Sequence, residues 1–487
     1  MAPISDSHQS SLKGVPLKLL ASLLSLAAAP LLIAAAPGVG SPGPVPPQDN
    51  QALAHDALAE MVAIRSTHEV GTAEVAKVVV KYLKAGGFTD KDIVVVADPK
   101  YPHQVNVVVR LKGKGKARPI LWNGHMDIVE AKPEDWSVPP FQLTEKDGYY
   151  YGRGSSDMKQ DDAAMLASLI RLKKEGFVPD RDIVIAFTAD EEVGLEQDGP
   201  AFLLREHRDL IDAEYAIDTD GANGELQNGR RTALDVETAE KTYVTLKLEV
   251  TNRGGHSSEP RPDNAIYTLA AGLGRLAAWQ YPFKTNASTR LYFQREATLQ
   301  SGQLKDDMLA VAGPTLDQAA ATRLARDPGL NAILHSTCVA TMLAAGHQEN
   351  ALAQRADATV QCRVMPDETP EQTRKTIEQV VADPDIKVTL PLDVVSGPET
   401  VPSPAVLAKV QKVTDSMWPG VTVIPAMGAG ASDGLFFRGG GIPTYGINGV
   451  FEDESRMHGR DERVGVQAFY ESVEFTYRLM KETSRAQ

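Results

Sequence analysis

The sequence predicts an α/β protein: a main domain built on a mixed, mainly parallel sheet, carrying a second α+β unit inserted into it. Three observations lead there. Short apolar strands alternate with amphipathic helices through the first half of the chain. Near Glu240 the texture changes to strands of alternating polarity in a β-α-β-β-α-β order. The α/β pattern then resumes near Pro402.

In chain order, "NQALAHDALAEMVAI" and "TAEVAKVVVKYLKAGG" have helical periodicity, and the glycine pair is a stop signal. "DIVVVAD", "QVNVVVRLKG" and "RPILWNGHMD" read as strands, and "MKQDDAAMLASLIRLKKEG" as a helix closed by glycine. "RDIVIAFTADEE" is a strand, "GPAFLLREHRDLI" a helix and "AEYAIDTDG" another strand. Strands this apolar belong to a sheet covered on both faces. "TYVTLKLEVTN" alternates as a half-exposed strand does. The helix "PDNAIYTLAAGLGRLAAW", an irregular segment over 280–335, two strands ("HSTCVATMLAAG", "ALAQRADATVQCRVMP"), the helix "TPEQTRKTIEQVVAD" and the strand "IKVTLPL" complete the inserted unit. The helix "PAVLAKVQKVTDSMW" and the strand "GIPTYGING" return to the first domain. The boundaries expected are 51–239 and 399–487 for the main domain and 240–398 for the insertion.

The N-terminus carries Lys13 and Lys18, then an Ala/Leu-rich run from Leu19 to Ala36 without an acid. This is the pattern of a secretory signal over 1–37, followed by a Gly/Pro/Ser-rich flexible linker over 38–50. An exported protein without stable membrane contact after signal removal is expected; a retained anchor is the alternative. With 487 residues, 43% hydrophobic and 23% charged, the chain has the composition of a globular enzyme. Its 50 basic and 64 acidic residues give −14, which argues against nucleic-acid partners. Two cysteines, Cys338 and Cys362, lie in strand-like runs; a disulfide and two buried thiols are both open.

Chemistry-bearing residues fall where strands run out: His125 and Asp127, Asp157, Glu191 and Glu192, Asp218 and Asp220, and His458 on a C-terminal loop. In open α/β sheets, ligands gather at the carboxyl ends of strands. Adjacent carboxylates repel, and a cation among them removes the cost. Two imidazoles and three carboxylates suit zinc, two ions per chain, with Mn²⁺ or Co²⁺ as substitutes. One carboxylate bridging two ions leaves a further acid beside them as general base. The remaining histidines, His8, His55, His68, His103, His207, His335 and His347, have no convergent partners and read as surface or structural.

The ordered motifs "GHMD", "GRGSSDMKQD", "TADEEVG", "GGHSSEPRPDNAI" and "MHGRDERV" resemble the di-zinc metallopeptidase family of aminoacylase, carnosine-type dipeptidase, glutamate carboxypeptidase and succinyl-diaminopimelate desuccinylase. The resemblance covers nearly everything after residue 51. It implies a zinc-peptidase-like catalytic domain with an inserted ferredoxin-like lid that also serves dimerisation. It implies that His125 and Asp220 hold one zinc, Glu192 and His458 the other, and that Asp157 bridges them. Asp127 would orient His125, and Glu191 would be the base. Strand alternation puts Asp218 and Asp220 on the same side, so geometry alone does not choose between them; Asp220, nearer the loop, is favoured. His256 resembles the lid histidine that meets the oxyanion, often in a neighbouring subunit. Asn350 and Arg363 resemble a substrate-gripping pair, and Gly430 belongs to a Gly-rich loop lining the pocket. The implied activity is cleavage of an amide or peptide bond next to a free carboxylate. An N-acyl-amino-acid amidohydrolase is the alternative, and an idle binding protein a remote one.

Overall fold

The computed structural model describes residues 41–193, 197–221, 223–391, 394–452 and 454–486. The signal-like residues 1–37 and Gly194, which closes the acidic turn in the sequence, lie outside the described residues.

Among the described residues, nine strands form the larger sheet. Its order is Ile93–Ala97, Val105–Leu111, Ile183–Thr188, Ile120–His125, Tyr215–Asp218, Thr444–Gly446, Arg230–Glu240 and Thr422–Gly428, with Gly224–Gln227 paired to Arg230–Glu240. The sheet is mixed and its centre is parallel: Ile120–His125 runs parallel to both Ile183–Thr188 and Tyr215–Asp218, and Thr444–Gly446 continues the run. Every residue of Ile183–Thr188 and of Ile120–His125 is buried, as strands covered on both faces must be. One face packs against the helices Gln48–Val62, Lys159–Lys174, Pro404–Met417 and Val466–Thr483. The other is covered through Phe202, Leu203 and Phe437.

A separate four-stranded antiparallel sheet has the order Thr337–Ala345, Arg355–Val364, Thr242–Thr251, Lys387–Thr389. Helices Ala265–Ala278 and Pro370–Val381 pack on it through Leu269, Leu276, Ile377 and Val381. This is the β-α-β-β-α-β arrangement of a ferredoxin-like unit. Thr369 and Gln372 form a capping box that starts the second helix, with Pro370 at its first position. Cys338 and Cys362 face each other across adjacent strands and are joined in a disulfide.

Two expectations need correction. Residues 38–50 read as a flexible linker, but the helix Gln48–Val62 begins inside that stretch. The described residues ahead of it are tied down: the Gly43 N–H donates to Glu471 at 2.9 Å, and Pro46 is buried. The segment 280–335 read as irregular, yet it contains the helices Ala287–Glu296, Gly302–Val311, Gln318–Leu324 and Pro328–Leu334 around a small core of their own. Helices of two or three turns are too short for the apolar period to stand out. Their caps Asn286, Asp317 and Asp327 were the visible signal.

Candidate active site

Three neighbouring parallel strands deliver the site. His125 is the last residue of its strand, in register with Thr188, and Asn123 is in register with Asp218. Glu191 and Glu192 therefore emerge beside His125 on one side, in the 3-10 turn Glu191–Val193, and Asp220 on the other. Asp157 lies just ahead of the buried helix Lys159–Lys174, and His458 comes from the C-terminal loop. Asp190 and His458 hold positive φ, 68° and 61°, in a region that non-glycine residues seldom occupy.

These side chains converge. His125 Nε2 is 3.2 Å from Asp157, 3.9 Å from Glu191 and 4.0 Å from Asp220. His458 Nε2 is 3.1 Å from the other oxygen of Asp157 and 2.9 Å from Glu192. Among the described residues two candidate ligand groups result, His125–Asp157–Asp220 and Asp157–Glu192–His458, with Asp157 common to both.

The electrostatics fit cations. Burial pushes Glu191 well above the usual carboxylate range, and Asp220, Asp433 and Glu192 push it further while His125 opposes. Burial, then Asp157, does the same to Asp220. Glu192 is raised too, chiefly by burial. Asp157 goes the other way: burial is outweighed by the His125 and His458 imidazoles, which hold it well below its ordinary value. Burial pulls His125 down, but Asp127 and Asp157 outweigh it and hold it well up. Asp157 and Glu192 raise His458 to about 10. The buried atoms His125 Nε2 and Glu192 Oε1 have no hydrogen-bond partner among the described residues. Four acids and two imidazoles crowded together, with unsatisfied donor atoms turned inward, are a good match to divalent ions.

Other residues hold this set in place. Asp127 accepts the N–H groups of Glu191 and Glu192 at 3.2 and 3.1 Å, and its carbonyl is 3.2 Å from His125 Nδ1. Glu462 accepts the N–H groups of Ser156 and Asp157 at 2.8 and 3.0 Å and pairs with Arg153. Arg153 in turn donates to the carbonyls of His458 and Gly459. Arg153 and Glu462 stand inside the "GRGSSDMKQD" and "MHGRDERV" motifs, but nothing in their spacing announced the partnership. Asp218 is buried and belongs to neither ligand group; it accepts from Ser432 Oγ at 3.0 Å and from the Asp220 N–H at 3.4 Å. His68, which read as surface or structural, has a partner: its Nδ1 is 2.7 Å from Asp190.

A cavity of about 720 Å³ opens over the cluster, lined by Asp157, Glu191, Glu192, Asp220 and His458. Arg363 and Gly430 line it, as do Tyr243 and an apolar group of Val394, Val395, Leu435, Phe436 and Met457. The Arg363 guanidinium lies 4.6 Å from the centre of the Tyr243 ring. His256 and Asn350 are not among the lining residues. Both are exposed, and they lie together: the Ser257 N–H donates to the Asn350 carbonyl, and His256 Nδ1 is 2.7 Å from Ser258 Oγ. The Asn350–Arg363 pair expected from the sequence is therefore split in this chain.

Residues 121–482 match Peptidase family M20/M25/M40. The chain is 29% identical over 376 residues to the N-fatty-acyl-amino acid synthase/hydrolase PM20D1 of Xenopus tropicalis, covering 74% of this chain and 72% of that protein. It is 29% identical over 399 residues to a probable carboxypeptidase S-like 2 of Dictyostelium discoideum, covering 78% and 75%. In fold it is similar to an M20 family metallo-carboxypeptidase, Sso-CP2, from Sulfolobus solfataricus, with a TM-score of 0.67, 16% identity and 88% and 99% coverage. Human carnosine dipeptidase 1 gives 0.59 at 15% identity, covering 91% and 100%. The match across the catalytic motifs and the convergence of the ligand groups lead to one conclusion: the chain belongs to peptidase family M20/M25/M40 and is a metal-dependent peptidase or amidohydrolase.

Proposed function

We propose that this enzyme cleaves an amide or peptide bond next to a free carboxylate, acting as an exopeptidase or dipeptidase with two zinc ions. The observation that carries this reading is Asp157 standing between two ligand groups with Glu191 beside them. His125 and Asp220 would hold one ion, Glu192 and His458 the other, and Asp157 both. Bound there, such ions supply Lewis-acid polarisation of the scissile carbonyl and a more acidic water. Glu191 takes a proton from the attacking water and gives it to the leaving nitrogen. Asp127 keeps the His125 ring and the glutamate turn in register. Arg363, stacked on Tyr243, pairs with the substrate carboxylate, and the Gly430 loop offers backbone N–H groups to the same end.

A second reading, N-acyl-amino-acid hydrolysis, draws on the apolar wall formed by Val394, Leu435, Phe436 and Met457 and on the relatives of the PM20D1 type. The two readings share one chemistry and differ in what fills that wall.

The segment 240–398 would act as lid and dimerisation domain. Its edge strand Thr337–Ala345 leaves Val339, Met342 and Leu343 61%, 66% and 66% exposed, which suits a homodimer contact. His256, exposed on the same domain, would then meet the oxyanion in the neighbouring copy. The disulfide fits export from the reducing cytoplasm, and no helix among the described residues is long and apolar enough to cross a membrane.

The test is a panel of dipeptides and N-acyl amino acids, each with and without the C-terminal carboxylate amidated. Zinc-loaded protein should hydrolyse only the free acids, and chelator should abolish the activity. Equal rates on amidated substrates would remove Arg363 from its role, and chelator-resistant activity would remove the metals.

A further inference from the structure

We infer that His68 is a positioning residue for Glu191, acting through Asp190; the inference rests on Glu191 being the base. Asp190 directly precedes Glu191 and is wholly buried at φ 68°. The left-handed region is uncommon for non-glycine residues, aspartate being among the more tolerant, and here contacts on the Asp190 side chain accompany it. The surroundings are specific. Asp190 Oδ1 lies 2.7 Å from His68 Nδ1 and accepts Gln104 Nε2 at 2.9 Å. Gln104 Nε2 also donates to the His68 carbonyl at 3.0 Å, so the pair forms a closed unit under the turn. From the opposite side Asp127 grips the Glu191 and Glu192 N–H groups. The turn that carries the base is thus clamped twice: at its amides by Asp127, and at its entry by His68 and Gln104.

His68 does not line the cavity and its side chain is 38% exposed, so it touches neither substrate nor ligand groups. Its effect on chemistry must pass through the conformation of Asp190. Without the imidazole, the buried carboxylate keeps only the side-chain amides of Gln104 and Gln197. The residue is then free to relax to negative φ, which turns the following peptide and moves Glu191. Displacements of about 1 Å at a reacting group cost on the order of 100-fold in rate.

Three variants of the metal-loaded enzyme test this: His68→Ala, His68→Asn, whose amide places a donor near the Nδ1 position, and Glu191→Gln. In His68→Ala, kcat should fall about 10- to 100-fold, with KM changed by less than about twofold and metal content unchanged. His68→Asn should recover most of the loss. In the metal-free protein, amide exchange at Glu191 and Glu192 should quicken about tenfold or more in His68→Ala and stay near wild type in His68→Asn. A wild-type kcat in His68→Ala, a loss of metal in step with kcat, or an Asn variant no better than Ala overturns the inference. If Glu191→Gln turns over normally, the base assignment itself fails and takes this inference with it. If Glu191→Gln is silent while His68→Ala is normal, only the role of His68 falls.

Discussion

Glu191 and Asp220 share one cavity and one kind of burial, yet they would do different work, and single substitutions separate them. Glu191→Gln keeps shape and removes the base. Turnover should drop on the order of 10²–10⁴-fold, while metal content stays at the wild-type value; hydrolysis assays alongside elemental analysis check both. Asp220→Asn should lose one ion, whereas Asp218→Asn should keep both, because Asp218 is committed to Ser432 and lies outside both ligand groups. The opposite result would exchange the two aspartates. The sequence left that choice open because strand alternation treats positions 218 and 220 alike. Most of the converging acids and histidines were legible for a simple reason: an acid or histidine at the end of an apolar strand has few structural uses. Arg153, Glu462 and His68 were not legible. Their partners lie 309, 309 and 122 residues away, and the hydrogen bonds depend on how loops fold back.

Among the elements, central parallel strands such as Ile183–Thr188 announced themselves through apolar runs. Arg230–Glu240 did not, since its outer half carries charged residues and its inner half mixes Asp235, Glu237 and Glu240 with apolar ones. Its acids are absorbed by features that only appear on folding, such as the buried Arg438 beside Glu240. Thr422–Gly428 and the final helix Val466–Thr483 also went unassigned, although both complete the catalytic domain's core. In the smaller sheet, the disulfide closes a loop of sequence separation 24. Replacing Cys338 and Cys362 by alanine should lower stability by about 3 kcal/mol in the chain-entropy picture, measurable by denaturant unfolding. If the intact bridge serves only this domain, the metal content of the folded variant will not change.

For the whole molecule, the buried acids make stability without metal depend on pH. Asp433 is raised to about 7 by burial, with Asp218 adding to it, and burial also pushes Glu191 and Asp220 well above the usual carboxylate range. The unfolded chain gives up such protons near pH 4. The contribution of these acids to the stability of the metal-free protein should therefore be fully present below that and be lost as pH rises through about 7. His458, raised to about 10, acts in the same direction at higher pH, while Asp157 opposes only in strong acid. Divalent ions relieve the acids and bind better once protons leave. The gap in Tm between metal-loaded and metal-free protein should widen from pH 5 to pH 8; a constant gap would mean the acids do not face the ions.

The most direct measurement is the metal content of the purified, folded chain. Two divalent ions per chain, falling to about one in His458→Ala with the fold intact, is the expected result. One ion or fewer in the wild-type protein after saturation and desalting would contradict a paired site bridged by Asp157.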